Sequence, residues 1–532
     1  MDIAERAPLL DALMNGDTYE VKPTDPPSVR NLWDRYGDLE AQFPPELVGE
    51  ALPYFHDWLL HRVGLVGIEA HDQRHGWEIF ETMNDRGLQL SPVDLLKSFL
   101  LASSDQARHR RLNDTWRKAM TGLSALGGMG TATNFVQALL VGRYANPSSA
   151  DDLARIETSF HEWFRGNLPR MHLVRPADFA DFVTEEFAPL ADAYCTLFSA
   201  AQSPPDSNTN LHSLFFNHVN GIRNQFQLIF AAVRRGDSID LMRAKARRVA
   251  DFLDLTYVRR VISGHSAHPS ELDIVIRDLI PKLRDATDLE AVTGLLSADL
   301  SADLGDFADV RTFGLGSDNR RQVHYLLARL TAFVETECER PNRVGAYLGE
   351  QRSHQIEHIW ANHFDRYQDL VKSPAAFDRS RNRFGALLLL HHSDNASYRD
   401  EPYSAKVEYY RGSQNLLAAS LHPMTHKRNP TFSRFLKKYD LAGLMRAHPN
   451  DFDDKAILTR QDLYQRLCQI IWDPARLGFT IRAAGGGGVG GAAPRTMIRS
   501  ASARLLRSWL GSTAKPDVVG TGVTCSPQTA KS

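Results

Sequence analysis

Between about residues 105 and 345, apolar residues return every three to four positions, with charged residues between them. The pattern is clearest over 178–202, 210–235, 238–263 and 320–337. A stripe of that period can be hidden from water only as one side of an α-helix, so this block is expected to be a stack of helices. No unit repeats at a fixed spacing, which argues against a solenoid. With 532 residues and about 150 per domain, the chain reads as mainly α and multi-domain.

The N-terminal flank reads differently. The first 45 residues are polar and broken by Pro23, Pro26 and Pro27, and a helix is expected from Glu46 to about Leu60. Val63 to Ile68 is a short apolar run with the look of a buried strand, and Gly76 to Met83 looks helical, stopping at Asn84-Asp85-Arg86-Gly87. Ser91-Pro92-Val93-Asp94 then has the form of a helix start: a hydroxyl cap, a proline in the first turn, and a carboxylate near the positive end of the helix dipole.

Charge narrows the function classes. The formal net charge is −2 and charged residues make up 24%, so no global positive charge announces a nucleic-acid partner. Any such surface must be local. Residues 351–450 hold 15 Lys and Arg against 9 Asp and Glu, with eight of the 20 histidines. Arg243, Lys245, Arg247 and Arg248 form a second basic run, which reads first as a solvated helix face and second as a DNA contact. The four cysteines are scattered and form no CxxC pair, as suits a reducing compartment. No apolar run reaches the roughly 18 residues needed to span a bilayer, and the N-terminus lacks a secretory pattern, so a cytoplasmic protein without membrane partners is expected. After Phe479, a Gly-rich stretch opens a tail expected to be disordered.

The residues richest in chemistry lie at His354-Gln355-Ile356-Glu357-His358-Ile359-Trp360, followed by Gly385-Ala386-Leu387-Leu388-Leu389-Leu390 and Asp394-Asn395. One reading is a small metal site. Glu357 and Asn395 would offer oxygens to Mg²⁺ or Mn²⁺, neutral His358 would take a proton from water, and Arg381, Arg383, Lys406 and Arg411 would grip phosphates. A second reading takes His354, Glu357 and His358 as the HxxEH pattern of inverted zinc peptidases, which requires a helix there. A third takes Ile356, Ile359 and Trp360 as core and the polar residues between them as surface.

Residues 341–440 resemble the C-terminal nuclease domain of the GmrSD restriction endonucleases, a His-Me (HNH-like) finger. The resemblance rests on Ile356-Glu357-His358-Ile359, Gly385 to Leu390, Asn395, and Lys406 ahead of Tyr409-Tyr410. The family's hairpin asparagine is replaced by Ala386. The resemblance implies a small ββα-metal module, with His358 as general base and Glu357 and Asn395 as metal ligands. Phe80 to Pro92 is similar to the FxxxNxxGxxL signature that closes the family's ParB-like N-terminal domain, which is associated with nucleotide binding and hydrolysis. The Asp-Gly-Gln-Gln-Arg string of that domain is absent, so Asn84 and Arg86 would face a nucleoside triphosphate only with help from another chain.

The resulting expectation is a remnant of the N-terminal domain over 1–102, a helical domain over 103–345 and the nuclease module over 346–440. A helical closing segment would follow over 441–482 and the tail over 483–532. The expected function is metal-dependent cleavage of DNA, by resemblance in restriction of modified phage DNA. A possible partner is a separate nucleotide-hydrolysing subunit or a second copy of the chain. The alternative from another class is a non-catalytic DNA-binding subunit of a split or decayed system, with the zinc peptidase behind it.

Overall fold

The computed structural model describes residues 5–64, 91–205, 210–265, 269–302, 307–349, 353–398, 400–427 and 429–481. The expected strand at Val63–Ile68 is all but outside these residues. The helix at Gly76–Met83, Asn84, Arg86 and the Gly-rich tail are wholly outside them. The chain separates into two compact units, Met1–Leu90 and Ser91–Ser532. Among the described residues helix accounts for 68% and strand for 3%, which makes the protein mainly α.

In the first unit, helices Ala7–Asn15 and Pro27–Gln42 occupy the proline-punctuated stretch, the second beginning on Pro27 itself. The expected helix from Glu46 begins later. Two short 3₁₀ turns, Pro45–Leu47 and Gly49–Ala51, precede helix Leu52–Arg62. Pro53 explains the delay: it has no N–H to give and its ring would strike the carbonyl one turn back, so it fits only the first turn.

In the second unit the helix start at Ser91 forms as read. Its hydroxyl accepts from the Asp94 N–H and caps helix Pro92–Ala102. The stripe at 178–202 is continuous, from Pro176–Phe182 through a π-turn at Val183–Phe187 into Ala188–Gln202. The stripe at 210–235 is two helices, His212–Val219 and Gln225–Ala232. They part at Gly221, whose φ of 78° ends the first helix. Helix Ile239–Ile262 is buried on all sides from Val249 to Val258, which accounts for its apolar and polar residues sharing one core. Asp254 there is 2% exposed and accepts from Tyr325 (2.5 Å), Arg329 (3.0 Å) and the Trp472 indole (2.9 Å). This hub ties the helical block to the C-terminal segment, and its three donors offset the cost of burying the carboxylate.

Strands β1 (His354–His358) and β2 (Leu387–His391) form an antiparallel ribbon with Glu357 opposite Leu388 and His358 opposite Leu387. Helix Pro374–Arg381 lies between the strands, and a second helix, His392–Tyr398, follows β2 directly. Successive side chains of a strand point to opposite faces. Ile356, Leu387 and Leu389 join the large core with Tyr325 and Leu467. Leu388, Leu390 and Ile359 join a second cluster with Trp360, Tyr410 and Ile457. Two strands alone would be marginal in water. Here each buried leucine contributes about 1.5–3 kcal/mol. The carbonyls of Leu387 and Leu389 are met by the Tyr464 hydroxyl (2.8 Å) and the Asn415 amide.

Candidate active site on the two-stranded ribbon

Glu357 and His358 are neighbours in sequence and point to opposite sides of β1. Glu357 turns into the second cluster and is 4% exposed. A carboxylate buried there needs partners. Helix Tyr403–Gly412 supplies two from one face, four residues apart: Lys406 Nζ donates to Glu357 Oε1 at 2.6 Å and the Tyr410 hydroxyl at 3.2 Å. Lys406 Nζ also donates to the His358 carbonyl at 2.9 Å. Burial pushes the Glu357 carboxyl up, and Lys406 pulls against that shift.

His358 is partly exposed, at the end of β1. Its Nε2 lies 2.9 Å from Asn382 Oδ1, an acceptor, so Nε2 carries the proton and Nδ1 holds the lone pair. Asn382 caps the C-terminus of helix Pro374–Arg381, in the connection between the strands. Arg381, at the end of that helix, donates from Nε to the Trp360 carbonyl at 3.1 Å. Burial, then the charges of Arg381, Lys406 and Arg320, push the His358 imidazole down to about 4. The ring is therefore neutral at pH 7, within a positive field.

The fold thus gathers His358, Glu357, Lys406 and Arg381. Lys406 is 1% exposed and engaged with Glu357, so it does not stand at the surface where a phosphate would meet it. Asn395 donates to Gln355 Oε1 at 3.3 Å. That side chain lies two residues along β1 from Glu357, about 6.6 Å away at strand spacing. Arg383 is half-buried and Arg411 exposed, and neither takes part in the contacts just described. Sequence reasoning missed Asn382 and Arg320. The only signal for Asn382 was its place between Arg381 and Arg383, just ahead of the hairpin.

The zinc-peptidase reading is overturned, because residues 354–358 are a strand. His354 and His358 share a face but stand about 13 Å apart along it, and His354 Nδ1 lies 2.8 Å from the Ser353 hydroxyl. Nor do the oxygens expected to hold Mg²⁺ or Mn²⁺ fit a divalent cation as arranged. An ammonium already occupies the place beside Glu357 Oε1, Asn395 is turned to Gln355, and no group of three His, Cys, Asp or Glu converges among the described residues.

No described helix is long and apolar enough to cross a membrane. No curated protein matches the chain. Residues 307–467 match the family model described as GmrSD restriction endonucleases, C-terminal domain. That span encloses both strands, the helix between them and the helix carrying Lys406. Over that span the chain is similar to the C-terminal domain of the GmrSD restriction endonucleases.

Proposed function

We propose that the chain cleaves DNA at a site centred on His358 and that it acts in restriction of phage DNA bearing modified bases. A restriction endonuclease domain implies a DNA substrate. The observation that carries the assignment of the base is His358 itself: partly exposed, neutral, held by Asn382 and within the positive field of Arg381, Lys406 and Arg320. Nδ1 takes the proton of a water as its oxygen attacks phosphorus. Arg381 and Arg320 face the charge that builds on the phosphoryl oxygens, and the bond to the leaving oxygen breaks. Restriction nucleases of this class typically use divalent metals. The donors here do not fit one as arranged, with Lys406 on Glu357 Oε1 and Asn395 turned to Gln355.

The engaged state of Glu357 favours one second reading, a DNA-binding subunit that cuts only with a partner. A single assay separates the two. Purified wild type and His358→Ala are incubated with Mg²⁺ or Mn²⁺ on plain and on glucosyl-hydroxymethylcytosine DNA. Cutting by wild type alone, with DNA affinity retained in the variant, supports the assigned base, and preference for modified DNA supports the restriction role. A variant that cuts as fast as wild type removes His358 from the reaction. No cutting by either protein, with DNA still bound, favours the partner-dependent subunit.

A further inference from the structure

Helix Ile239–Ile262 is buried over its C-terminal half, but its N-terminal half borders a cleft of about 800 Å³ that lies apart from the ribbon. Four arginines line it, Arg243, Arg247, Arg248 and Arg476, and no carboxylate does among the described residues. In a chain of net charge −2 such a concentration is unusual. Lys245, from the same basic run, turns inward to Asp237 at 2.7 Å and takes no part.

The arginines are not merely a solvated face. Arg243 is exposed and has no ion-pair partner among the described residues. Arg247, one turn on, reaches Asp251 only at 3.5 Å, and Arg476 reaches Glu337 at 3.4 Å. Arg248 is built in. Its guanidinium donates to the Leu477 carbonyl and lies 5.1 Å from the Phe479 ring centre. It also packs so closely on Gly478, at φ 80°, that a Cβ there would fall 2.6 Å from Nη2. Burial lowers its pKa, a cost that an anion in the cleft would relieve.

The size and walls narrow the ligand. Small-molecule sites run about 300–1,000 Å³, whereas a duplex backbone tracks an open basic surface. Ser199 offers a hydroxyl, and Leu211 and Leu289 offer apolar walls against which a flat ring could lie. We propose that this cleft binds a phosphorylated ligand of nucleotide size, with its phosphates on Arg243, Arg247 and Arg248.

The test is calorimetric titration of the full chain with ATP, with inorganic pyrophosphate and with a short DNA duplex. Wild type should bind ATP and pyrophosphate. Losing two charge-assisted contacts in Arg243→Ala/Arg247→Ala should weaken both by about tenfold or more. The paired lysine replacements should restore most of the affinity, and duplex binding should be unchanged. Both arginines are exposed, so the variant should melt as wild type does. Ser199→Trp fills the cleft without removing charge and should also abolish binding. Failure of wild type to bind either anion would overturn the proposal. So would full affinity in the double variant or in Ser199→Trp, or a parallel loss of duplex binding, which would make this an open DNA-facing surface.

Discussion

Glu357 and Lys406 stand 49 residues apart in the chain and meet through a 2.6 Å contact in which both side chains are almost wholly buried. A lone charge in that cluster would be costly, and the two losses are unequal. Glu357→Gln strands an ammonium 1% exposed and should cost about 3–5 kcal/mol. Lys406→Met should cost less, because Glu357, already raised by burial, can take up a proton. The double variant should recover much of the loss. Denaturant midpoints of the four proteins provide the measurement, and equal midpoints for wild type and Glu357→Gln would mean that the pair holds nothing together.

The same contact governs metal binding. While the ammonium lies beside Glu357 Oε1, a divalent cation approaching that carboxylate meets a like charge. Lys406→Met should therefore bind Mn²⁺ more tightly than wild type, read by loss of the free Mn²⁺ signal in electron paramagnetic resonance. Glu357→Gln/Lys406→Met should lose that gain. If wild type binds Mn²⁺ as tightly as Lys406→Met, the ammonium is not what keeps the metal out.

Asn382 should tune the base. With His358 pushed down to about 4, the active neutral form dominates above that pH, so kcat/KM should rise through about pH 4 and be level near neutrality. Asn382→Asp places a carboxylate beside the Nε2 proton and favours the charged ring. The rising limb should then move to higher pH. A pH–rate profile identical to wild type would show that the 2.9 Å contact does not reach the reacting nitrogen.

Acid should loosen the fold at the ribbon. His354 is also held down to about 4, first by burial and then by the nearby His391. An unfolded histidine titrates near 6.5. Between those values the unfolded chain binds more protons, so stability is present above about 6.5 and is lost as pH falls toward about 4. Thermal midpoints across that window should drop, and His354→Gln should flatten the drop. A variant with the full wild-type slope would assign it to other groups.

How much of this was legible in sequence depends on range. The helix start at Ser91 was read from local spacing, because capping is settled within a few residues. The adjacency of Glu357 and His358 was legible too. Their opposite facing followed only once the segment proved to be a strand, and period alone does not decide that for five residues. The pairing of Lys406 with Glu357, and of Asn382 with His358, depends on how separate helices dock on the ribbon, which no local pattern encodes. Lys406 read as a surface cation because lysines usually are. The carboxylate waiting in the core made it an exception.

Gly385 gives the last test, since it carries that docking in one atom. Its N–H donates to Gln461 Oε1 at 2.6 Å, and Gln461 Nε2 in turn donates to the Phe313 carbonyl at 2.7 Å. A Cβ at 385 would fall 2.6 Å from the backbone nitrogen of Gln461 and strike the Ile457 carbonyl, so helix Asp454–Ile471 would have to move. Backbone cannot yield as a side-chain tip can. Gly385→Ala should therefore cost about 1–3 kcal/mol and lower cleavage as well, because β2 begins two residues later and lies opposite His358. The melting temperature and kcat should fall together, while His358→Ala should lower kcat alone. A Gly385→Ala protein that melts and cuts as wild type would show that this helix is not needed to hold the ribbon in place.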